Sequence, residues 1–157
     1  MSPLFKKLNL KDQCQIIVAN APESFDTELE ALTDVTVERD PRAIETIEFS
    51  LAFVTKLAEV EALAHAIAPK AQGDAVIWFA YPKGSSKRYR CEFNRDTGWA
   101  VLGQLGFEGV RQVAVDEDWS ALRFRRVEFI KTMRRDRKRA MSEAGQARVA
   151  ADSSPKF

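Results

Sequence analysis

Glycine is scarce in the first half of this 157-residue chain, because all seven glycines lie at or after Gly73. A backbone that approaches a phosphate closely usually needs glycine, which has no Cβ and tolerates a positive φ. The turn after the first predicted strand, residues 20–24, instead reads NAPES, and Pro22 also removes a backbone donor. The dinucleotide-binding loop that often follows the first strand of an α/β protein is therefore absent.

Histidine and cysteine are also scarce, with His65 as the only histidine and Cys14 and Cys91 as the only cysteines. One histidine excludes His-rich zinc sites and argues against a Ser-His-Asp triad, and no serine stands in a Gly-x-Ser-x-Gly turn. We therefore name no catalytic residue and no metal ligand, expect no cofactor, and favour a protein that is not an enzyme. Cys14 opens an apolar strand and is predicted to be core. Cys91 lies in a basic stretch that could lower its pKa, with ordinary packing as the favoured alternative.

Long hydrophobic runs are missing, since none approaches the roughly 20 residues that a membrane helix needs. Residues 1–7 carry basic side chains without an apolar stretch after them, so we expect no secretory signal, no membrane contact and a cytoplasmic location. The hydrophobic content of 45% and charged content of 30% are typical of a globular domain. Charge is uneven, with net −6 over residues 1–75 and net +7 over residues 76–157. This asymmetry indicates either an anion-binding half or two halves that attract each other.

Apolar periodicity predicts strands that alternate with helices. The predicted strands cover residues 14–19, 35–37, 46–54, 75–81, 110–115 and 119–129, and the predicted helices cover 23–32, 55–68 and 95–105. Strand–helix–strand alternation implies parallel pairing, whereas the short turn at residues 116–118 makes the last strand antiparallel to the fifth. We predict a three-layer, Rossmann-like α/β domain over residues 1–130, with a mostly parallel sheet of about six strands ending in a C-terminal antiparallel hairpin. Residues 131–157 are predicted to form a basic helix and then a disordered tail.

The pattern also assigns individual side chains. The third strand is predicted to place four apolar residues on one face: Ile47, Phe49, Leu51 and Phe53. Thr55 is expected to cap the next helix, which would bury a stripe beginning at Leu57 and expose His65 on the opposite side. Gly106 suits the position just after the helix that ends near residue 105.

Two resemblances follow from segments in the second half. Residues 77–83 (IWFAYPK) and 105–109 (LGFEG) stand within a strand–helix–strand–helix–strand–hairpin order that begins at Thr46. This order resembles the C-terminal half of class I methyltransferases, whose Gly-x-Gly-x-Gly loop after the first strand is not matched by residues 20–24. Residues 78–83, Gly103-x-x-Gly106-Phe107 and residues 119–123 (WSALR) also resemble the small bacterial family known as domain of unknown function 3052. That resemblance covers most of residues 8–130 and implies no activity.

Ligands of open α/β sheets bind beyond the carboxyl ends of the strands, which here means residues 20–24, residues 55–56 and residues 82–90. The last segment is the richest in hydroxyls and cations, which suit a phosphate or carboxylate. Its candidate anion-binding residues are Lys83, Ser85, Ser86, Lys87 and Arg88. The candidate pocket-lining residues are Asn20, Thr55, Tyr81, Asp116, Asp118 and Trp119. A solvated loop with exposed cations is the alternative for residues 83–88, and rim salt bridges are the favoured alternative to a general-base or metal site at residues 116–118.

These features predict a small cytoplasmic binding or interaction domain that recognises an anionic small molecule, or a protein partner, at the carboxyl edge of its sheet. A degenerate methyltransferase-like enzyme is one alternative. Binding of nucleic acid or an acidic partner through residues 131–139, of which six are basic, is another. Nucleic acid is the less favoured partner, because this run lacks interleaved aromatic residues.

Overall fold

The computed structural model describes residues 2–94 and 96–130. Six strands form one sheet in the order β2-β1-β3-β4-β6-β5. The strands are β1 (Gln15–Ala19), β2 (Thr36–Glu38), β3 (Ile47–Phe53), β4 (Ala71–Pro82), β5 (Phe107–Ala114) and β6 (Trp119–Arg126). The α-helices are α1 (Pro3–Lys7), α2 (Asp26–Glu30), α3 (Leu57–Ile67) and α4 (Ala100–Gln104). The predicted tail, residues 131–157, lies outside the described residues.

Strands β2, β1, β3 and β4 are parallel, and β6 is antiparallel to both of its neighbours, β4 and β5. The predicted mostly parallel, Rossmann-like α/β sheet with a C-terminal hairpin is therefore confirmed. The hairpin is placed differently from the prediction, because the antiparallel strand β6 lies inside the sheet and β5 forms its edge. The side chains explain the order: β6 is largely buried on both faces, whereas β5 carries exposed residues over Val110–Gln112.

Helices cover both faces of the sheet, which gives the three predicted layers. Phe49 and Trp78 lie on the face covered by α1 and the segment before α2, which we call the α1/α2 face. Phe79 lies on the other side, the α3/α4 face, together with Val60 of α3 and Leu102 of α4. The α1 side is also fixed by a polar contact, because the Trp78 indole Nε1 donates to the Leu8 carbonyl oxygen at 2.8 Å.

The pairing of β3 with β4 changes one predicted face. A register shift between Ile47 and Phe49 moves Ile47 to the α3/α4 face, while Phe49, Leu51 and Phe53 stay on the α1/α2 face. The predicted common face was therefore wrong at Ile47, because a bulge breaks the strict alternation of a strand. The same irregularity lets β4 begin at Ala71 rather than at residue 75.

Several boundaries also differ from the prediction. Cys14 is exposed and precedes β1, so its predicted place in the core was wrong. Leu57, the first member of the predicted stripe, stays 44% exposed because it stands at the first position of α3. Gly106 has φ +87° and follows Leu105, the C-cap residue of α4, as predicted for that position. Among the described residues, no helix combines the length and the apolar character of a membrane span.

Candidate functional site

The sheet has one place where the strand order reverses, between β1 and β3. From β1 the chain crosses to β2 on one side, and it then returns to β3 on the other side. Ligands of doubly wound α/β proteins bind in the crevice that such a reversal creates at the carboxyl ends of the strands. The residues that follow these two strands are Asn20 and, after Val54, Thr55.

The turn after β1 is compact and filled by an aromatic side chain. Asn20 is exposed with φ +59°, and Pro22 precedes a 3-10 turn over Glu23–Phe25. Phe25 is buried, and its ring centroid lies 5.0 Å from that of Phe53 at the end of β3. The turn therefore packs against the sheet instead of presenting a row of backbone amides to a ligand.

The turn after β3 is occupied by carboxylates of the chain itself. One Glu59 oxygen, Oε1, accepts from the Thr55 amide at 2.9 Å, the Thr55 hydroxyl at 3.1 Å and the Lys56 amide at 3.1 Å. Glu92 Oε1 accepts from the Leu57 amide at 2.8 Å, and the Glu92 amide donates to the Thr55 carbonyl oxygen at 3.1 Å. The amides of Thr55, Lys56 and Leu57 at this end of α3 are thus already bonded and are not offered to an anion.

Thr55 does not cap α3 as predicted. The N-cap residue is Lys56, and Glu59 at the third helical position reaches back over the start of the helix. This is the glutamate half of a capping box, in which a side chain from the first turn satisfies the amides that precede it. The Thr55 hydroxyl is a donor to Glu59 and is committed to that contact.

Residues 83–90, which follow β4, form the cationic loop, and they are held against the β5–β6 turn. The Lys83 amide donates to the Asp118 carbonyl oxygen at 2.8 Å, and the Ser86 hydroxyl donates to Asp118 Oδ1 at 2.9 Å. The Ser86 hydroxyl oxygen also accepts from the Tyr89 amide at 3.2 Å. The Tyr89 and Trp119 ring centroids are 4.9 Å apart, so both ends of the loop are anchored to the hairpin.

The cations of this loop have no acidic partner among the described residues. The salt bridges among the described residues join Arg42 to Asp40 and Arg125 to Asp74, and none of these four residues belongs to the loop. The cations without such a partner are Lys83, Lys87, Arg88 and Arg90. Lys83 is half-buried and the other three are exposed, as are Gly84 and Ser85 between them. One anchored segment therefore carries four positive charges that form no salt bridge within residues 2–94 and 96–130.

Asp116 acts within the hairpin turn, whereas Asp118 binds the cationic loop. Asp116 Oδ1 accepts from the amides of Asp118 and Trp119, each at 2.8 Å, and Asp118 accepts from Ser86. Because β5 runs in the same direction as β4, this turn lies on the same edge as the cationic loop, as expected. Within residues 2–94 and 96–130, no three His, Cys, Asp or Glu side chains come together as a metal site.

The two aromatic candidates for a pocket lie on opposite faces of the sheet. Trp119 packs on the α1/α2 face, where its ring centroid is 5.1 Å from that of Phe53. Tyr81 packs on the α3/α4 face, and its hydroxyl oxygen accepts from the Gln112 side-chain amide at 2.9 Å. The structure thus joins Trp119, Asp116 and Asp118 to the cationic loop and separates Tyr81 from them.

The predictions for His65 and Cys91 have different outcomes. His65 is exposed, as predicted. Cys91 is half-buried, and burial raises the pKa of its thiol, although a hydrogen bond with the Phe93 backbone acts in the opposite direction. The idea that neighbouring basic residues lower the pKa of Cys91 was therefore wrong, because the loss of water around the thiol dominates.

The roles of Glu59 and Glu92 were missed by the sequence analysis. Glu59 had a local signal, since glutamate at the third position of a helix is typical of a capping box. Glu92 had none, because it reaches Leu57 across 35 residues of chain. Tyr89 was likewise missed, since only the folded hairpin brings Trp119 beside it.

Comparison with known proteins identifies the fold. The chain has 12% sequence identity to magnesium protoporphyrin IX methyltransferase (ChlM) from Synechocystis PCC 6803, solved with bound SAM, over 78% of this chain and 74% of that one, with a TM-score of 0.50. It has 12% identity to the pyocyanin biosynthetic protein PhzM over 78% of this chain and 54% of that one, with a TM-score of 0.51. The predicted topological similarity to methyltransferases is confirmed, and at this identity it establishes the fold alone. No family model and no curated protein matches the chain, so the resemblance to domain of unknown function 3052 stays a prediction.

The residues at the strand reversal do not fit S-adenosylmethionine, the molecule bound in the ChlM structure. S-adenosylmethionine would need a close backbone approach after β1, where the structure has Ala21 and Pro22, followed by a 3-10 turn that ends at the buried Phe25. The amides of Thr55, Lys56 and Leu57 are bonded to the carboxylates of Glu59 and Glu92, so they are not available to its carboxylate. We therefore assign no residue of this chain to that group.

Proposed function

We propose that this chain is a binding domain with a methyltransferase-like fold, which recognises an anionic small molecule through the cationic loop. The observation that supports it most is the combination of anchoring and unpaired charge at residues 83–90. A loop fixed by Asp118 and by the Tyr89–Trp119 contact has little conformational freedom left to lose. Its cations nonetheless have no carboxylate among the described residues to neutralise them.

The chemistry of the loop favours phosphate or carboxylate groups. Arg88 and Arg90 offer guanidinium forks that can donate in pairs to such anions, while Lys87 supplies a compact charge. Ser85 is exposed and can add a hydroxyl donor, whereas Ser86 is committed to Asp118. Of the predicted anion-binding residues, Ser86 is therefore proposed to hold the loop and the others to contact the ligand.

Thermal unfolding in the presence of phosphorylated and carboxylated metabolites tests this proposal. A ligand that binds the folded chain raises its melting temperature, and the gain grows with ligand concentration. The double variant Lys87→Glu/Arg88→Glu is expected to lose the gain. Lys11→Glu/Arg39→Glu, which reverses the same number of exposed charges away from the loop, is expected to keep it. Equal gains in both variants would contradict the proposal.

A degenerate methyltransferase-like enzyme is the second candidate, because the fold match favours it. This candidate requires that S-adenosylmethionine bind to the chain, and calorimetric titration measures that binding directly. The committed amides around Thr55 argue for a flat titration. A cytoplasmic location and membership of the domain of unknown function 3052 family remain predictions that accompany either candidate.

A further inference from the structure

Two arginines face each other across the β5–β6 pair, on the α1/α2 face of the sheet. Arg111 stands directly opposite Arg123 in the register of the two strands. Directly opposed residues of antiparallel strands have Cβ atoms about 4.5–5.5 Å apart, and like charges at that separation are destabilising. They share this face with Val113 and Ala121, their second neighbours along each strand.

A bulge in β5 creates this opposition. The register shifts between Gly109, which pairs with Phe124, and Arg111, which pairs with Arg123. Without the extra residue, the apolar Val110 would stand opposite Arg123, yet Val110 is 37% exposed. Bulges re-aim side chains and are often found beside functional sites, so this one substitutes a cation for an aliphatic partner.

Arg123 is half-buried, and it forms no salt bridge with the described residues. Its Nε is buried and has no hydrogen-bond partner among the described residues. Burial lowers the pKa of the Arg123 guanidinium, the positive charge of Arg125 lowers it further, and Arg111 acts in the same direction against an opposing effect of Asp74. A buried donor of a charged group without an acceptor is unfavourable, unless something outside the described contacts supplies one.

The carboxylate whose charge acts on Arg123, that of Asp74, is already engaged. Asp74 accepts two hydrogen bonds from Arg125 Nε, at 2.8 and 3.1 Å, and one from Arg125 Nη2 at 2.6 Å. Arg125 also stands opposite Glu108 in the strand register. Among the described residues, Arg111 and Arg123 thus face each other without a carboxylate that forms a salt bridge with either of them.

We propose that Arg111 and Arg123 form a second anion site, which binds a phosphate group between their two guanidinium forks. Phosphate suits the pair because it accepts several hydrogen bonds and carries up to two negative charges. Arg123 lies four residues along β6 from Trp119, or about 13 Å from the edge where the cationic loop is anchored. The site is therefore separate from the one under the proposed function.

Calorimetric titration of the full chain with inorganic phosphate tests the site. We expect saturable binding that weakens at least tenfold in Arg111→Gln and in Arg123→Gln, and that persists in Lys87→Glu/Arg88→Glu. Arg39→Gln, an exposed arginine beside the opposite edge strand β2, serves as the matched control and is expected to bind like the parent chain. Binding that is unchanged in both arginine variants, or absent in the parent chain, would overturn the proposal.

Thermal unfolding separates this role from a purely structural one. Arg111 is exposed, so Arg111→Gln removes a like-charge contact and is expected to unfold at the same temperature as the parent, or higher, without phosphate. In phosphate, compared with chloride of equal ionic strength, the parent chain should gain more than the variant. If the variant unfolds at a lower temperature by the same margin in both salts, the arginine pair is structural and the site is refuted.

Discussion

Removal of the Glu59 carboxylate should destabilise the start of α3. Glu59 Oε1 accepts three hydrogen bonds, two from backbone amides and one from the Thr55 hydroxyl. The loss of a helix cap costs about 0.5–2 kcal/mol, and an anion at a helix N-terminus adds about 0.3–1 kcal/mol. We therefore expect Glu59→Ala to lower the free energy of unfolding by about 2 kcal/mol, or about 4–8 °C in melting temperature for a chain of this size.

Glu61→Ala is the matched control for this prediction. Glu61 lies on the same helix, two residues further along, and its exposed carboxylate forms no hydrogen bond or salt bridge with the described residues. Both variants exchange glutamate for alanine, so any gain in helix propensity is common to them. Urea unfolding followed by circular dichroism measures both free energies. If the free energies of unfolding of the two variants agree within about 0.5 kcal/mol, Glu59 does not cap the start of α3. Our conclusion that the amides at the strand reversal are unavailable to a ligand then fails.

Three further predictions concern individual residues. Hydrogen bonds from Arg125 lower the pKa of Asp74, so Asp74→Asn should lower the free energy of unfolding by about 0.5–1 kcal/mol at pH 7. Urea unfolding should show this difference shrink below about pH 4, because Asp74 is then protonated in the parent chain. Gly98 has φ +90°, and a Cβ there would lie 2.6 Å from the Phe93 Cβ, so Gly98→Ala should lower the free energy of unfolding by about 2–4 kcal/mol, as measured by thermal unfolding. Gly84→Ala, whose Cβ would have nothing within 4 Å, should leave it nearly unchanged. Iodoacetamide should modify Cys91 in a Cys14→Ser chain more slowly than it modifies Cys14 in a Cys91→Ser chain, because Cys91 is half-buried with a raised pKa and Cys14 is exposed; equal rates would contradict this.

The strand pattern of the fold could be predicted because its signals are local. The apolar run that contains Trp78 and Phe79 is buried on both faces, and such runs are typical of central parallel strands. The order of the last two strands could not be predicted, since a hairpin can insert either of its strands beside β4. The bulge at Gly109 also escaped prediction, because it depends on pairing with β6.

The location of the candidate site could be predicted better than its contacts. The rule for the carboxyl ends of parallel strands identified the turn after β1, the start of α3 and the loop after β4. The commitments of Ser86 to Asp118 and of Leu57 to Glu92 join residues more than 30 positions apart, so no local pattern could reveal them. Those commitments are what distinguish the open cationic loop from the closed start of α3.

The amide chemical shifts of the full chain test most directly whether a ligand binds at residues 83–90. On addition of a phosphorylated metabolite that raises the melting temperature, the amides of residues 83–90 should shift saturably, while those of Asn20 and residues 55–57 stay in place. S-adenosylmethionine should shift none of these amides. Saturable shifts at Asn20 and residues 55–57 with either compound, without shifts at residues 83–90, would contradict the account.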